Sequence, residues 1–326
     1  MVEKRIIYFN EALHRYTDQF GNEYTSVTTK LKEYEPSKDF KLIALACERI
    51  GKNRNHRDYL KYKGKTANQL LNEWKVITDK SLVRGNTEHG YLEETVKIAN
   101  GHIKQLYKSD SKSINGYSYS RMYSIHDLVS NRLDTIGSIN VDDLLNQDLN
   151  VKYVDIYNLI VGLSNRGFKF YPEIVVYHPD ILVCGMIDLL AVKDNTFIII
   201  DWKTNKGDIR FESGYYEKDT SGELSDNFIY TNEFLKYPLS HVPASVGNKY
   251  TLQLSLYANF VERFGFNLIG LILFHITHEV IKVNDLDTWK TNPIKLTYMK
   301  NEIDMLINNI NLTNNNKKNQ YDAFKL

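Results

Sequence analysis

Between Val183 and Lys203 the chain writes two apolar strands around a polar turn, Lys193-Asp194-Asn195, and the second strand ends in charge. Val183 to Val192 reads as one strand and the β-branched run Thr196 to Lys203 as the next. Side chains alternate faces along a strand, so Phe197, Ile199, Asp201 and Lys203 point one way, and Ile198, Ile200 and Trp202 the other. A carboxylate and an ammonium closing so apolar a strand make poor core, because burying unpaired charge is costly. The hairpin therefore requires a sheet whose strand end opens onto a polar site. Asp188 on the partner strand brings a second carboxylate to the same place. Two carboxylates suit a hard divalent cation such as Mg²⁺, which takes few protein ligands and leaves room for water and phosphate oxygens.

Further segments surround this hairpin. Upstream lies RGNTEHGYLEE (Arg84 to Glu94); just before the hairpin comes YPEIVVYH (Tyr171 to His178); downstream follows QLSLYANFVE (Gln253 to Glu262). Near the N-terminus stands HRYTDQFGNEYTSVTTKL (His14 to Leu31). In this order the segments resemble the PD-(D/E)XK nuclease superfamily in its RecB-like branch. The matching patterns are G-x-x-x-H-x-x-x-E, a P-E pair, D…D-x-K and a Q-x-x-x-Y helix. The opening resembles that of phage-type and mitochondrial-genome-maintenance exonucleases. D-x-K alone occurs by chance in many chains; the ordered series, from roughly Phe9 to Phe264, carries the resemblance.

The resemblance implies an α/β fold, a central mixed sheet flanked by helices (a restriction-endonuclease-like core), with an N-terminal hairpin and helical region. It implies a DNA nuclease dependent on Mg²⁺ or Mn²⁺, an exonuclease on DNA ends or single strands in phage-type replication, recombination or degradation. The setting would be the cytoplasm of a bacterial host. Asp188, Asp201 and His89 would hold the metal, with the backbone carbonyl of Trp202 in reach. Lys203 would orient or deprotonate the attacking water, Glu173 would add a ligand, and Gln253 and Tyr257 would position the lysine, a water or a phosphate. Two alternatives stand beside this: a sequence- or structure-specific endonuclease of the same superfamily, and an inactive nucleic-acid-binding protein on the same fold. The intact Asp188, Asp201 and Lys203 argue against inactivity.

Each residue also has a plainer reading. A lone histidine in a helix is commonly a surface or core residue, which is the competing role for His89. Glu93, four residues on, shares its helical face and would otherwise be a surface acid. Gln253 and Tyr257, also four apart, would otherwise edge the core. Thr204 either anchors a phosphate or ends the strand, and His14 and Tyr16 read as packing residues.

Composition limits the classes. The chain has 326 residues, 42% of them hydrophobic, enough for a sizeable core; length permits one large or two small domains, and the resemblance implies a single nuclease domain. No apolar run approaches the roughly 18 residues of a membrane span, and no signal-peptide core follows Glu3-Lys4-Arg5. Cys47 and Cys184 are too few for a zinc framework or a four-cysteine cluster and read as small buried hydrophobes. The net charge of +1 conceals two local biases. Arg49 to Lys65 carries Arg49, Lys52, Arg54, Arg57 and Lys61 among its cations, with Tyr59 and Tyr62 interleaved. These suit phosphate neutralisation and base stacking, together with Thr204 and Tyr257, or else form a solvated face. Asp208 to Glu233 is acidic and reads as a flap within an insertion spanning residues 206–248.

The remaining elements follow from periodicity and turn signals. Arg5 to Tyr16 and Glu23 to Val27 form a hairpin around Gly21-Asn22. Helices run from Lys38 to Ile50, Thr66 to Thr78 and Asn86 to Ala99, with Ser81 or Asn86 as caps. The N-terminal region carrying His89 thus ends near residue 107, and a variable insert over 108–150 holds a short helix at Val141 to Asn146. A catalytic core over 151–310 contains helices Asp155 to Ser164 and Lys249 to Phe264 and strands Leu268 to His275 and Val280 to Val283. Pro293 to Asn309 ends in a helix, and the Asn- and Lys-rich tail, 311–326, frays.

Overall fold

The computed structural model describes residues 4–101, 111–114, 116–219, 224–283 and 285–323. Residues 108–110 of the expected insert and Glu223 of the acidic stretch lie outside them.

The N-terminus is a meander of β1 (Ile7–Asn10), β2 (Arg15–Asp18) and β3 (Glu23–Ser26), so the run expected as one strand breaks in two. His14 sits at the break with φ 50°, and its ring packs with Phe9 and Tyr16, the structural role its sequence implied. Helices α1 (Val27–Lys32), α2 (Phe40–Ile50) and α3 (Tyr59–Tyr62) follow. Asp39 starts α2 by accepting from the Lys41 and Leu42 amides.

Helix α4 (Ala67–Ala99) runs unbroken where two helices were expected. Its start is a capping box between Thr66 and Gln69. Ser81 does not cap a new helix: its hydroxyl donates to the Ile77 carbonyl one turn back, as Thr78 does to Trp74 and Thr87 to Val83. Satisfied in this way, these polar side chains no longer compete with the helix for backbone groups.

The insert supplies β4 (Ser111–Ile114) and β5 (Tyr117–Arg121), which extend the sheet beyond β1, then α5 (Ile125–Val129) and α6 (Val141–Asn146); α7 (Leu149–Lys152) spans its end and α8 (Val154–Ser164) follows it. The central strands are β6 (Lys169–His178), β7 (Val183–Lys193) and β8 (Thr196–Lys203). The acidic stretch forms a separate hairpin, β9 (Gly214–Lys218) with β10 (Leu224–Tyr230). Helix α9 (Val246–Glu262) leads into β11 (Asn267–Val283), a single strand with a register shift between Ile276 and Val280 instead of two strands. Strand β12 (Leu286–Leu296) pairs with it antiparallel and includes Pro293, where the sequence gives no clear alternation to mark a strand. Helix α10 (Lys300–Ala323) continues beyond Asn309, through residues expected to fray.

The main sheet, in order β12-β11-β8-β7-β3-β2-β1-β5-β4 with β6 on the other edge of β7, is mixed: β11 and β8 are parallel, β7 and β8 antiparallel. Helices cover both faces, as the α/β reading requires. Phe197 and Ile199 enter one core with α1, α9 and α10, while Ile198, Ile200 and Trp202 enter another with the end of α4 and with α6, α7 and α8. The alternation along β8 is thus realised residue by residue. A third, small cluster of Ala44, Cys47, Ala67 and Leu70 joins α2 to the start of α4. Both cysteines are buried free thiols. Among the described residues no helix is long and apolar enough to cross a membrane.

Candidate active site

Strand β7 makes the site by changing partners. Residues Leu189 to Lys193 pair with β8, whereas Val183 and Cys184 pair with β3 on that same edge, since β6 already occupies the other. Between Gly185 and Asp188 the edge is open, and the sheet splits. Asp188 falls at the fork. Its Oδ2 accepts from the Trp202 amide at 3.1 Å, replacing the ladder bond lost where the strands part. The N–H and C=O of one strand residue point to the same side, so the Trp202 carbonyl also faces the split. Its indole is buried on the opposite face, as parity demands.

Asp201 is 1% exposed, and Lys203 lies beside it with Nζ 2.6 Å from Oδ2. The other oxygen, Oδ1, is buried and has no hydrogen-bond partner. Burial first, then the charge of Asp188, pushes the Asp201 carboxyl up to about 6 despite the opposing effect of Lys203. Burial depresses Lys203, but Asp201 and Asp188 outweigh it and raise its pKa overall. Its ammonium also lies 5.1 Å from the ring centroid of Tyr250.

Glu173 reaches the same place through the β6–β7 register. The register runs without a shift from Pro172↔Leu189 to Ile174↔Ile187, which sets Glu173, with φ 54°, opposite Asp188. A non-glycine residue in that region is strained, and here the strain turns a carboxylate toward other carboxylates. Burial, then Asp188 and Glu93, raise the Glu173 pKa well above the usual range. Glu93 itself pairs with Lys97.

Helices reach the fork from both faces. From α4, the His89 Nδ1 lies 3.5 Å from Asp188 Oδ2, with its ring edge-on to Trp202. From α9, Gln253 donates to the Tyr257 hydroxyl at 3.0 Å, and both are buried. Tyr257 fills the space under Gly185, where an added Cβ would come within 2.3 Å of Cε1. Thr204 begins the exit from β8 beside α4; its Oγ1 would be 3.5 Å from a Cβ at Gly85.

Three neighbours escaped the sequence reading. Tyr250 donates to Asn205 Oδ1 at 2.8 Å, and His275 Nε2 contacts the Asn205 carbonyl at 2.8 Å. Tyr250 precedes Gln253 by three residues and Tyr257 by seven, so helical spacing could have found it. His275 lies beside Lys203 only through the parallel β8–β11 register, which leaves no local signal.

The structure therefore gathers Asp188, Asp201, Lys203, Glu173, His89 and the Gln253–Tyr257 pair around one fork. It does not close them into a finished cage: among the described residues, no three His, Cys, Asp or Glu side chains are poised to hold an ion. His89 faces Asp188, while Asp201 is engaged by Lys203. The donor set fits a hard divalent cation all the same. Asp201 Oδ1 is buried without a partner, and the charges of Asp188 and Asp201 each raise the Glu173 pKa, a repulsion that a cation would relieve.

The basic stretch meets the acidic hairpin. Arg57 pairs with Glu217 of β9 at 2.7 Å, and Lys61 donates to the Lys218 carbonyl at 2.9 Å. The acidic hairpin is thus docked on α3 by two of the cations expected to meet DNA. Lys52 pairs with Glu48, and Arg49 and Arg54 are exposed. Tyr257, expected to touch DNA, is only 4% exposed.

No family model and no solved structure matches the chain. A stretch of 65 residues is 42% identical to an ATP-dependent helicase/nuclease subunit from Carboxydothermus hydrogenoformans. That match covers 19% of this chain and 5% of the relative, so the chain is similar to a helicase/nuclease subunit over one short segment.

Proposed function

We propose that this protein is a divalent-metal-dependent DNA nuclease of the PD-(D/E)XK type, RecB-like, acting as an exonuclease on DNA ends or single strands. The observation that carries the reading is the buried Asp201, with one oxygen unpartnered, flanked by Lys203 and facing Asp188 in a split sheet. The similarity to a helicase/nuclease subunit supports DNA as the substrate.

Asp188 and Asp201, with Glu173 and His89 beside them, would hold Mg²⁺ or Mn²⁺, and the Trp202 carbonyl faces the same space. Such an ion acidifies a water and offsets charge on the scissile phosphate. Lys203 is held as a cation by its two aspartates, which suits it to orient the attacking water and neutralise the phosphate instead of removing a proton. Gln253 holds the Tyr257 hydroxyl, and Tyr257 props the Gly185 backbone at the open edge, so this pair supports the fork from beneath. The burial of Asp201, with Lys203 only 15% exposed, limits the screening of their charges by water.

The test is cleavage of end-labelled linear DNA and of closed circles, in Mg²⁺ and in Mn²⁺, by the wild type and by Lys203→Ala. Progressive loss of linear or single-stranded DNA, survival of relaxed circles and an inactive but folded variant are expected. Unchanged cleavage by folded Lys203→Ala rejects the site, and efficient opening of circles replaces the exonuclease with an endonuclease.

A further inference from the structure

A cavity of about 530 Å³ begins at Asn205, two residues beyond Lys203, and runs between α2–α4 and the β9–β10 hairpin. Six aromatic rings line it: Phe40, Tyr62, Trp74, Tyr215, Tyr216 and Phe228. We infer that this cavity is a subsite for unstacked nucleobases of a single strand whose phosphates pass the Asp201–Lys203 fork. The inference rests on the nuclease reading for the strand's destination, but not for its binding.

Position is the first argument. Asn205 joins the cavity to the fork through one chain of contacts: its Oδ1 accepts from Tyr250, and the Tyr250 ring lies against the Lys203 ammonium. A strand with its phosphate at Lys203 would enter the cavity at Asn205.

Chemistry is the second. Aromatic faces accept any base by stacking, and cations beside them meet the phosphates. Arg210 and Lys218 line the cavity with the rings, against Asp208 and Glu212, while Lys61, also in the wall, is held by the Lys218 carbonyl. Arg210 lies over both Tyr216 and Phe228, at 5.6 Å and 5.2 Å from their centroids, and so presents a flat charged surface. The cavity adjoins a second one of about 450 Å³, sharing Phe40, Gly214 and Val246, where Lys32, Lys38, Lys236 and Lys249 outnumber Glu35 and Glu233. Rings in one chamber and lysines in the next match the two faces of a single strand. A purely apolar ligand would leave these cations unused, and an intact duplex has no free base to offer.

Accessibility is the third. Phe40 is 59% exposed and Tyr215 53%, far more than core rings permit. The hairpin that carries Tyr215, Tyr216 and Phe228 is held against α3 by the Arg57–Glu217 pair and Lys61, so it forms the outer wall of the cavity.

Binding in EDTA tests this without cleavage. Labelled oligothymidylate, the same strand with abasic sites, and a blunt duplex are titrated onto the full chain. The wild type should hold oligothymidylate roughly ten-fold more tightly than the abasic strand. Tyr215→Ala should reduce that preference several-fold while leaving abasic affinity and the melting curve unchanged, and Tyr215→Phe should restore it. Trp74 fluorescence should be quenched by oligothymidylate and not by the abasic strand, with the change lost in Trp74→Phe. Equal affinity for the two strands, tighter binding of duplex, or an equal loss for both strands in Tyr215→Ala would overturn the inference. A protein that cuts DNA but ignores bases fails here alone; one that binds bases but never cuts fails only as a nuclease.

Discussion

Asp201→Asn should make the metal-free protein more stable at pH 8, not less. In the fold the carboxyl titrates near 6, against an ordinary value of 3.8, because burial and Asp188 oppose its charge more than Lys203 supports it. Ionising it in the fold instead of in the unfolded chain therefore costs roughly 3 kcal/mol. Between the two values the native state binds more protons than the unfolded state, so stability falls as pH rises through this window and stays lower above it. Asparagine keeps the shape and drops the charge, recovering about that amount above pH 6 and progressively less toward pH 4. For a chain of this size the gain is roughly 5 °C in melting temperature. Thermal melts of wild type and variant in EDTA, at pH 8 and at pH 4, measure it. Millimolar Mg²⁺ should then close the gap by stabilising the wild type more, since binding to the native state adds its own free energy. A variant that melts below the wild type at pH 8 in EDTA would refute the argument. It would mean that the Lys203–Asp201 attraction outweighs the burial of charge.

Gly185→Ala should cost about 1–3 kcal/mol, because its Cβ would stand 2.3 Å from Tyr257 at the open edge of β7; melting reads the loss, and lost DNA cleavage should accompany it. Glu217→Ala should free the acidic hairpin from Arg57, seen as faster limited proteolysis within residues 206–233 with the melting of the main sheet unchanged. His89→Ala should weaken Mn²⁺ binding in calorimetry while preserving the fold, because the side chain is 30% exposed and touches Asp188 from α4. An unaltered Mn²⁺ isotherm would leave His89 outside the metal site.

Much of this arrangement is legible in local sequence because strand parity and helical spacing are short-range rules. Thr196 to Lys203 alternates between two faces, and that alone separates Asp201 and Lys203 from Trp202 and pairs them as neighbours. Spacings of three and four residues likewise set Gln253 and Tyr257 on one side of α9 and His89 and Glu93 on one side of α4. What no local rule contains is how strands distant in sequence share an edge. That β7 trades β8 for β3 at Asp188 depends on the N-terminal meander docking some 160 residues away in the chain. Glu173 and Asp188 stand opposite each other only once β6 and β7 are paired in register. Similarly, Arg57 and Lys61 read as free cations until the hairpin carrying Glu217 and Lys218 folds back onto them. Sequence thus determined which groups are candidates for the chemistry, since residue type and period suffice for that; tertiary structure alone decided which of them meet, because nonlocal pairing and burial set their distances and their charges.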